Sequence, residues 1–275
     1  MDPSGQILLL GVVQGATEFL PISSSGHLAL LQTFFELPGS LLALDLVLHC
    51  ATVLAVLFFF RRDVVSILTQ WLSGLFLKTA RNTEGWRYGW LLLAGTGVTG
   101  VVALPLKSLV EEAMSSYFAV GLGLLATAGL LCLVPLVPLV PLVPERRREL
   151  SLKTVLAVGL AQGLAVFPGV SRSGATLAVA LFMGLESQEA FRLSFLMSVP
   201  AILGASLLEA LRILRHPVLA LPEGCLAAAF TAFLLGCLSL AFLRRLVLSG
   251  KWPYFGVYCF FLGLGAILVD IAAKF

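Results

Sequence analysis

Six stretches of this sequence, roughly 41–60, 88–106, 117–134, 192–212, 225–243 and 254–273, are apolar with few charges over the length of a bilayer. A helix needs about 20 such residues to cross. The rest of the chain cannot dilute them, because 59% of the 275 residues are hydrophobic and only 12% are charged, with a mean hydropathy of +1.01. An ordinary soluble domain is about 45–50% apolar and about 25% charged. Composition thus excludes a soluble enzyme and a disordered chain. A net charge of +3 gives no polyanion-binding surface, so no nucleic-acid partner is expected. The chain reads as an all-α polytopic membrane protein.

Two further apolar regions, about 7–34 and 154–184, are interrupted near their middles by LPISSSGH at 20–27 and FPGVSRSG at 167–174. Broken backbone at membrane depth persists only where protein or a water-filled cavity satisfies its N–H and C=O groups. Each region therefore predicts two short helices meeting at a polar turn, a re-entrant hairpin. Met1 to Gln6 carries no basic n-region and no A-x-A-like site follows, so no cleaved signal peptide is expected. The five cysteines are scattered through apolar segments without a C-x-x-C pair and read as small hydrophobes.

Basic clusters orient the pieces. Arg61, Arg62, Lys78, Arg81 and Arg87 mark one cytoplasmic loop, Arg146, Arg147, Arg148 and Lys153 a second, and Arg244, Arg245 and Lys251 a third. The loop around Lys107, Glu111 and Glu112 lacks that excess and is expected outside. Six crossings fit these assignments only if each hairpin returns to the side it entered, the first from outside and the second from the cytoplasm.

The two hairpins also resemble each other. An offset of 148 (162 minus 14) pairs Gln14–Gly15 with Gln162–Gly163, Phe19 with Phe167, Ser23 with Ser171, Ser25 with Ser173 and Gly26 with Gly174. TVLAV at 52–56 echoes AILGA at 201–205. The expectation is an inverted-topology repeat, halves 1–144 and 145–275 of one membrane domain, each a hairpin plus three spans. Such repeats place a substrate site where the broken elements meet near the midplane. The tract PLVPLVPLVP at 135–144 forbids helix and is read as the end of the third span plus a stiff connector.

Ionisable groups at membrane depth cost about 2.5–3.5 kcal/mol each on insertion scales and mark function by default. They are Glu18, His27, Asp45, His49, Arg172 and Glu209. Ser23, Ser24 and Ser25 open the second half-helix of the first hairpin, and a helix N-terminus with free N–H donors suits phosphate. The second hairpin repeats Ser-x-Ser-Gly around Arg172, whose fork suits phosphate oxygens. Glu18 and His27 add a carboxylate and an imidazole able to act as base, acid or nucleophile. The blander expectations are N-caps for the serines, an ion pair for Glu18 with Arg172, a hydrogen-bonded packing role for His49, and interfacial or ion-paired places for Asp45 and Glu209. Gly95–Thr96–Gly97 reads as close helix packing, and Trp71, Trp86, Trp90 and Trp252 as an aromatic belt.

GVVQGATEFLPISSSGHL (11–28) and PGVSRSGATLA (168–178) closely resemble the two signature motifs of the bacterial undecaprenyl-diphosphate phosphatase, or bacitracin-resistance, family. RLSFLMSVPAILGA (192–205) and the chain length fit as well. The resemblance implies an enzyme that removes the terminal phosphate of undecaprenyl diphosphate, recycling the lipid carrier for cell-wall synthesis. It implies the bacterial cytoplasmic membrane, a site facing outside, a divalent cation (Mg2+ or Ca2+), membrane lipid as surroundings, and compatibility with a homodimer. Carried over by position, Glu18, Ser24, His27 and Arg172 become catalytic. Gln14, Ser23, Ser25, Gly26, Ser171, Ser173, Gly174 and Thr176 become substrate-binding, and Glu18 a metal ligand. Many relatives have Glu where this chain has Gln14, which removes one carboxylate a metal could use.

Two mechanisms stay open here: Ser24 attacks with Glu18 or His27 as base, or His27 attacks directly. Two rival functions stand beside them. One is a transporter or flippase of a phosphorylated polyprenyl lipid using the same site. The other is a type-2 phosphatidic acid phosphatase, whose expected Lys-x6-Arg-Pro motif is missing.

Overall fold

In the computed structural model, which describes residues 3–35, 42–136, 150–215 and 221–274, all regular structure among the described residues is helical. The Pro-Leu-Val tract beyond Leu136, Arg146–Arg148 and the expected boundary between the halves lie outside the described residues.

The first broken region forms α1 (Pro3–Thr17) and α2 (Ser24–Phe34), and the second forms α8 (Leu152–Leu164) and α9 (Arg172–Phe182). Between them run α3 (Leu42–Phe59), α4 (Arg61–Phe76), α5 (Glu84–Ala103), α6 (Lys107–Met114) and α7 (Tyr117–Leu133). After them come α10 (Ser187–Arg215), α11 (Cys225–Leu248) and α12 (Pro253–Ala272). A helix lies at each of the six expected spans. Four runs, Glu84–Met114, Ser187–Arg215, Cys225–Leu248 and Pro253–Ala272, are long and apolar enough to cross a membrane, and α3 with α4 forms a fifth such run bent by 84°. The protein is therefore a multi-pass membrane protein. Its outward apolar side chains, such as Leu226, Phe230 and Leu238 along α11, are exposed, as lipid-facing positions must be.

Three expectations need correction. Residues 61–76, read as part of a loop, form α4. Two adjacent arginines and Asp63 cannot continue α3 through hydrocarbon, yet the sequence still favours helix, so the chain turns at Phe60 instead of uncoiling. The outer loop likewise holds the short helix α6. Trp252 is 3% exposed, packed into the main apolar cluster at the α11–α12 turn and not displayed in a belt. Trp71 and Trp86 do flank Trp90, edge to face at 5.5 and 5.7 Å.

Small residues set the closest helix approaches, because only a missing side chain lets two backbones meet. Gly11 and Gly15 of α1 lie against Ala228 and Ala232 of α11, while Gly159 and Gly163 of α8 lie against Gly95 and Thr99 of α5. Hydroxyls reinforce both pairs. Ser239 Oγ donates to the Gly15 carbonyl at 3.0 Å and Thr99 Oγ1 to the Gly159 carbonyl at 3.0 Å.

Helices α5 and α10 run side by side in the same direction. At their starts Arg192 forms an ion pair with Asp63 Oδ1 at 2.8 Å, and its Nη1 donates to Glu84 Oε1 at 3.0 Å. Past the end of α5, Arg212 bonds Glu111 Oε1 on α6 at 2.9 Å. Pro200 lies inside α10 between these ties.

Candidate active site

The two broken turns are built alike. Ser23 caps α2, its Oγ accepting from Gly26 N at 3.2 Å, and Ser171 caps α9, its Oγ accepting from Gly174 N at 3.1 Å. Each cap also meets the next-but-one serine, Ser25 or Ser173, hydroxyl to hydroxyl at 3.2 Å. They differ in backbone: Ser23, at φ 67°, is the single non-glycine residue with positive φ among the described residues. Such conformations persist only where the surroundings impose them, and they cluster at functional sites. The turns differ too in the first helical residue, Ser24 in one and Arg172 in the other.

Those two residues converge on Glu18. Arg172 Nη2 donates to Glu18 Oε1 at 2.5 Å. Ser24 Oγ donates to Oε2 at 2.5 Å, and Gln14 Nε2 donates to the same oxygen at 3.1 Å. Glu18 is 8% exposed. Its charge is tolerated there because a guanidinium and two further donors replace water. The oxygen nearest Ser24 is the acceptor a hydroxyl nucleophile needs.

Glu18, Ser23, Ser24, Ser25, Ser171 and Arg172 line one end of a cavity of about 700 Å3. Its walls rise along α3 from Asp45 to His49, along α5 from Thr96 to Ala103, and along α10 from Pro200 to Glu209. These are the halves of α5 and α10 that lead toward the Arg212–Glu111 tie, away from the Arg61, Arg87 and Arg192 end.

Other expected site residues do not line the cavity. His27 turns away from Glu18: its Nδ1 donates to the Ser23 carbonyl at 2.7 Å, and its Nε2 meets the Tyr258 hydroxyl at 2.7 Å. The structure therefore places it behind the turn, braced against a stacked Tyr258 ring. Gln14, Ser173 and Thr176 are buried. Ser173 Oγ donates to the Leu20 carbonyl at 3.1 Å and ties the two turns together. Thr176 Oγ1 bonds the Arg172 carbonyl at 2.9 Å and Ser194 Oγ at 2.6 Å. Gly26 lies against the Gly169 backbone and Gly174 against Pro21, where a side chain would crowd the crossing turns.

Sequence reasoning missed several neighbours. Thr127 of α7 accepts from Ser171 N at 2.9 Å and bonds the Gly169 carbonyl at 2.8 Å, holding the second turn in place. A lone threonine in an apolar helix carries no local signal of that task. His49 Nδ1 donates to the Asp45 carbonyl at 2.7 Å and Glu209 lies 4.0 Å from Arg212, the hydrogen-bonded and ion-paired roles expected of them, and Asp45, His49 and Glu209 also line the cavity. Asp45 and His49 share α3 while Glu209 is on α10, so sequence could not reveal the common wall.

Among the described residues no three His, Cys, Asp or Glu side chains converge as a metal cage. The hairpin offers one carboxylate, Glu18, and one buried carboxamide oxygen without a partner, Gln14 Oε1. This donor set fits an ion held largely by phosphate oxygens, as Mg2+ commonly is, and does not fit a protein-only site.

Fold and site together define a polytopic helical membrane protein whose cavity is headed by two broken helices and a buried carboxylate–guanidinium pair. Residues 7–265 match the family model described as Bacitracin resistance protein BacA. The chain belongs to that family. It is 40% identical over 265 residues to a protein of Korarchaeum cryptofilum named undecaprenyl-diphosphatase, covering 95% of this chain and 97% of the relative. It is 39% identical over 271 residues to the undecaprenyl-diphosphatase of Desulfosudis oleivorans, covering 96% and 97%. To the undecaprenyl-diphosphatase 1 of Shouchella clausii it is 37% identical over 269 residues, covering 97% and 95%.

Proposed function

We propose that this protein is a membrane-embedded phosphatase that hydrolyses undecaprenyl diphosphate to undecaprenyl phosphate and inorganic phosphate. The observation that carries the chemistry is Ser24 Oγ donating to Glu18 Oε2 beside Arg172. The names of the relatives give hydrolysis, which favours this reading over transport.

The terminal phosphate sits at the starts of α2 and α9, where free N–H groups and helix dipoles favour an anion. Arg172 turns part of its fork from Glu18 to phosphate oxygens, which neutralises charge spreading over them in the transition state. Glu18, relieved of that partner, takes the Ser24 hydroxyl proton. Ser24 Oγ forms a bond to the terminal phosphorus as the bond to the bridging oxygen breaks, and undecaprenyl phosphate departs carrying the proton that Glu18 passes to it, which restores the carboxylate. Water, deprotonated by the same carboxylate, then attacks the phosphoserine. The Oγ–P bond breaks, the proton returns to Ser24, and inorganic phosphate leaves. His27 has no part in proton transfer here; it fixes Ser23, and so the start of α2. A divalent cation, Mg2+ or Ca2+, held by Glu18 and Gln14 Oε1 against the diphosphate would supply further charge neutralisation.

The surroundings follow from the same evidence. Six crossings with two re-entrant hairpins agree with the six helices at the expected spans. An inverted repeat, with halves 1–144 and 145–275, is supported by the exchange of partners in which α1 packs on α11 and α8 on α5. With the Arg61, Arg87 and Arg245 end in the cytoplasm, the cavity opens to the outside of a bacterial cytoplasmic membrane.

The test is phosphate release from undecaprenyl diphosphate by purified protein in detergent. Release that depends on Glu18 is the expected result. A folded protein that releases none would overturn hydrolysis and leave transport, which needs two compartments.

A further inference from the structure

The cavity is closed toward the interior by the paired turns, but several of its wall residues are also outer-surface residues. Leu104 is 57% and Leu208 49% exposed, and both line the cavity. A side chain on Gly100 of α5 or Gly204 of α10 would find no heavy atom within 4 Å, and both glycines line the cavity as well. This open stretch lies between two places where the helices are held. Below it, Gly95 of α5 abuts Met197 of α10. Above it, Arg212 reaches Glu111 at 2.9 Å. Pro200 begins the stretch. It gives no N–H to the carbonyl four residues earlier and crowds it, which loosens α10 at the level where the gap starts.

A slot between parallel helices, apolar along both edges and ending inside at Arg172 and Glu18, suits a molecule with an anionic head and a long hydrocarbon tail. Resting on the phosphatase reading, we infer that this slot between α5 and α10 is the port through which the polyisoprenyl chain of the substrate passes into the outer leaflet. Gly100 and Gly204 keep the port open. The head reaches the turns while the chain stays in lipid, so little of the tail has to leave hydrocarbon for the reaction to occur. The same geometry sets selectivity. Only the isoprene units that lie in the port, beyond the one next to the phosphate, touch its walls, so the port discriminates a polyisoprenyl chain from a single five-carbon unit without measuring the full length.

The test uses Gly100→Leu and Gly204→Leu in the full-length protein in detergent, with Gly129→Leu and Gly265→Leu as controls. The two control glycines also face open space, on α7 and α12 away from the cavity. Phosphate release is measured with undecaprenyl diphosphate and with isopentenyl diphosphate, and the ratio of the two kcat/KM values is compared with the unsubstituted protein. Filling the port should lower that ratio by at least about tenfold, since a leucine occupies the space of roughly one isoprene unit. The controls should leave the ratio within about twofold, as distant lipid-facing changes do. An unchanged ratio in both port variants overturns the port, and so does an equal fall in the controls. If the unsubstituted protein releases no phosphate from either substrate, the phosphatase reading fails and the port falls with it.

Discussion

Arg172 Nη2 and Glu18 Oε1 meet at 2.5 Å across 154 residues of sequence, and the bond joins the two broken hairpins at the head of the cavity. Neither residue has a counterpart at the matching place in the other hairpin. The offset of 148 sets Glu18 against Val166 and Arg172 against Ser24. Two similar scaffolds thus contribute unlike groups to one site, the acid from one and the cation from the other.

Glu18→Gln preserves shape but removes the acceptor for the Ser24 proton. Activity should fall by about 100- to 10,000-fold, the range for a positioned base. Phosphate release normalised to folded protein checks it, and a loss under about threefold would remove Glu18 as base.

Ser24→Ala should abolish turnover, by about 1,000-fold or more, as loss of a nucleophile does. His27→Ala should cost less, about ten- to a hundredfold, because it disturbs position and not bond making. Phosphoenzyme trapped by a neutral denaturing quench should survive in the His27 variant and vanish in the Ser24 variant. The reverse order would transfer the nucleophile to His27.

Arg172→Lys keeps the charge but cannot hold Glu18 and a phosphate with one planar fork. We expect about a hundredfold loss of kcat, comparable to removing one transition-state donor. Full activity in the lysine variant would mean that a point charge is enough.

Thr127→Val should destabilise the protein by about 1–3 kcal/mol, because Ser171 N–H and the Gly169 carbonyl lose their shared partner in a buried place. Thr127→Ser, which keeps the hydroxyl, should restore most of that loss. Thermal unfolding in detergent compares the two, and equal melting of both variants would assign the effect to packing.

The legible part of the fold was its hydrocarbon length scale. Helices stand at all six apolar stretches, and the interruptions at 20–27 and 167–174 became turns, because apolar runs and helix breakers act through neighbouring residues. Bends that depend on where a chain leaves the membrane were less visible. The turn at Phe60 and the amphipathic α4 were absorbed into a basic loop, and Trp252 went into a core that only tertiary packing creates. In the site, the repeat brought Glu18, Ser24 and Arg172 into view together because it predicts which segments face each other. It could not say that His27 turns toward Tyr258, 231 residues away, or that Thr176 turns toward Ser194. His49 was legible as a hydrogen-bonded residue, since its Nδ1 donates to the Asp45 carbonyl at 2.7 Å. The wall it shares with α10 was not, because that depends on tertiary packing.

The packing of α1 on α11 has a consequence for how the chain is made. Gly15 receives the Ser239 hydroxyl across 224 residues, so the first hairpin enters the bilayer long before its main neighbour exists. Glu18 must also wait for Arg172, which at ordinary synthesis rates means on the order of ten seconds. During that interval the Gly11–Gly15 face of α1 lacks the α11 backbone it packs against. The N-terminal hairpin is therefore expected to insert as a provisional element and to settle only when the second half of the chain arrives.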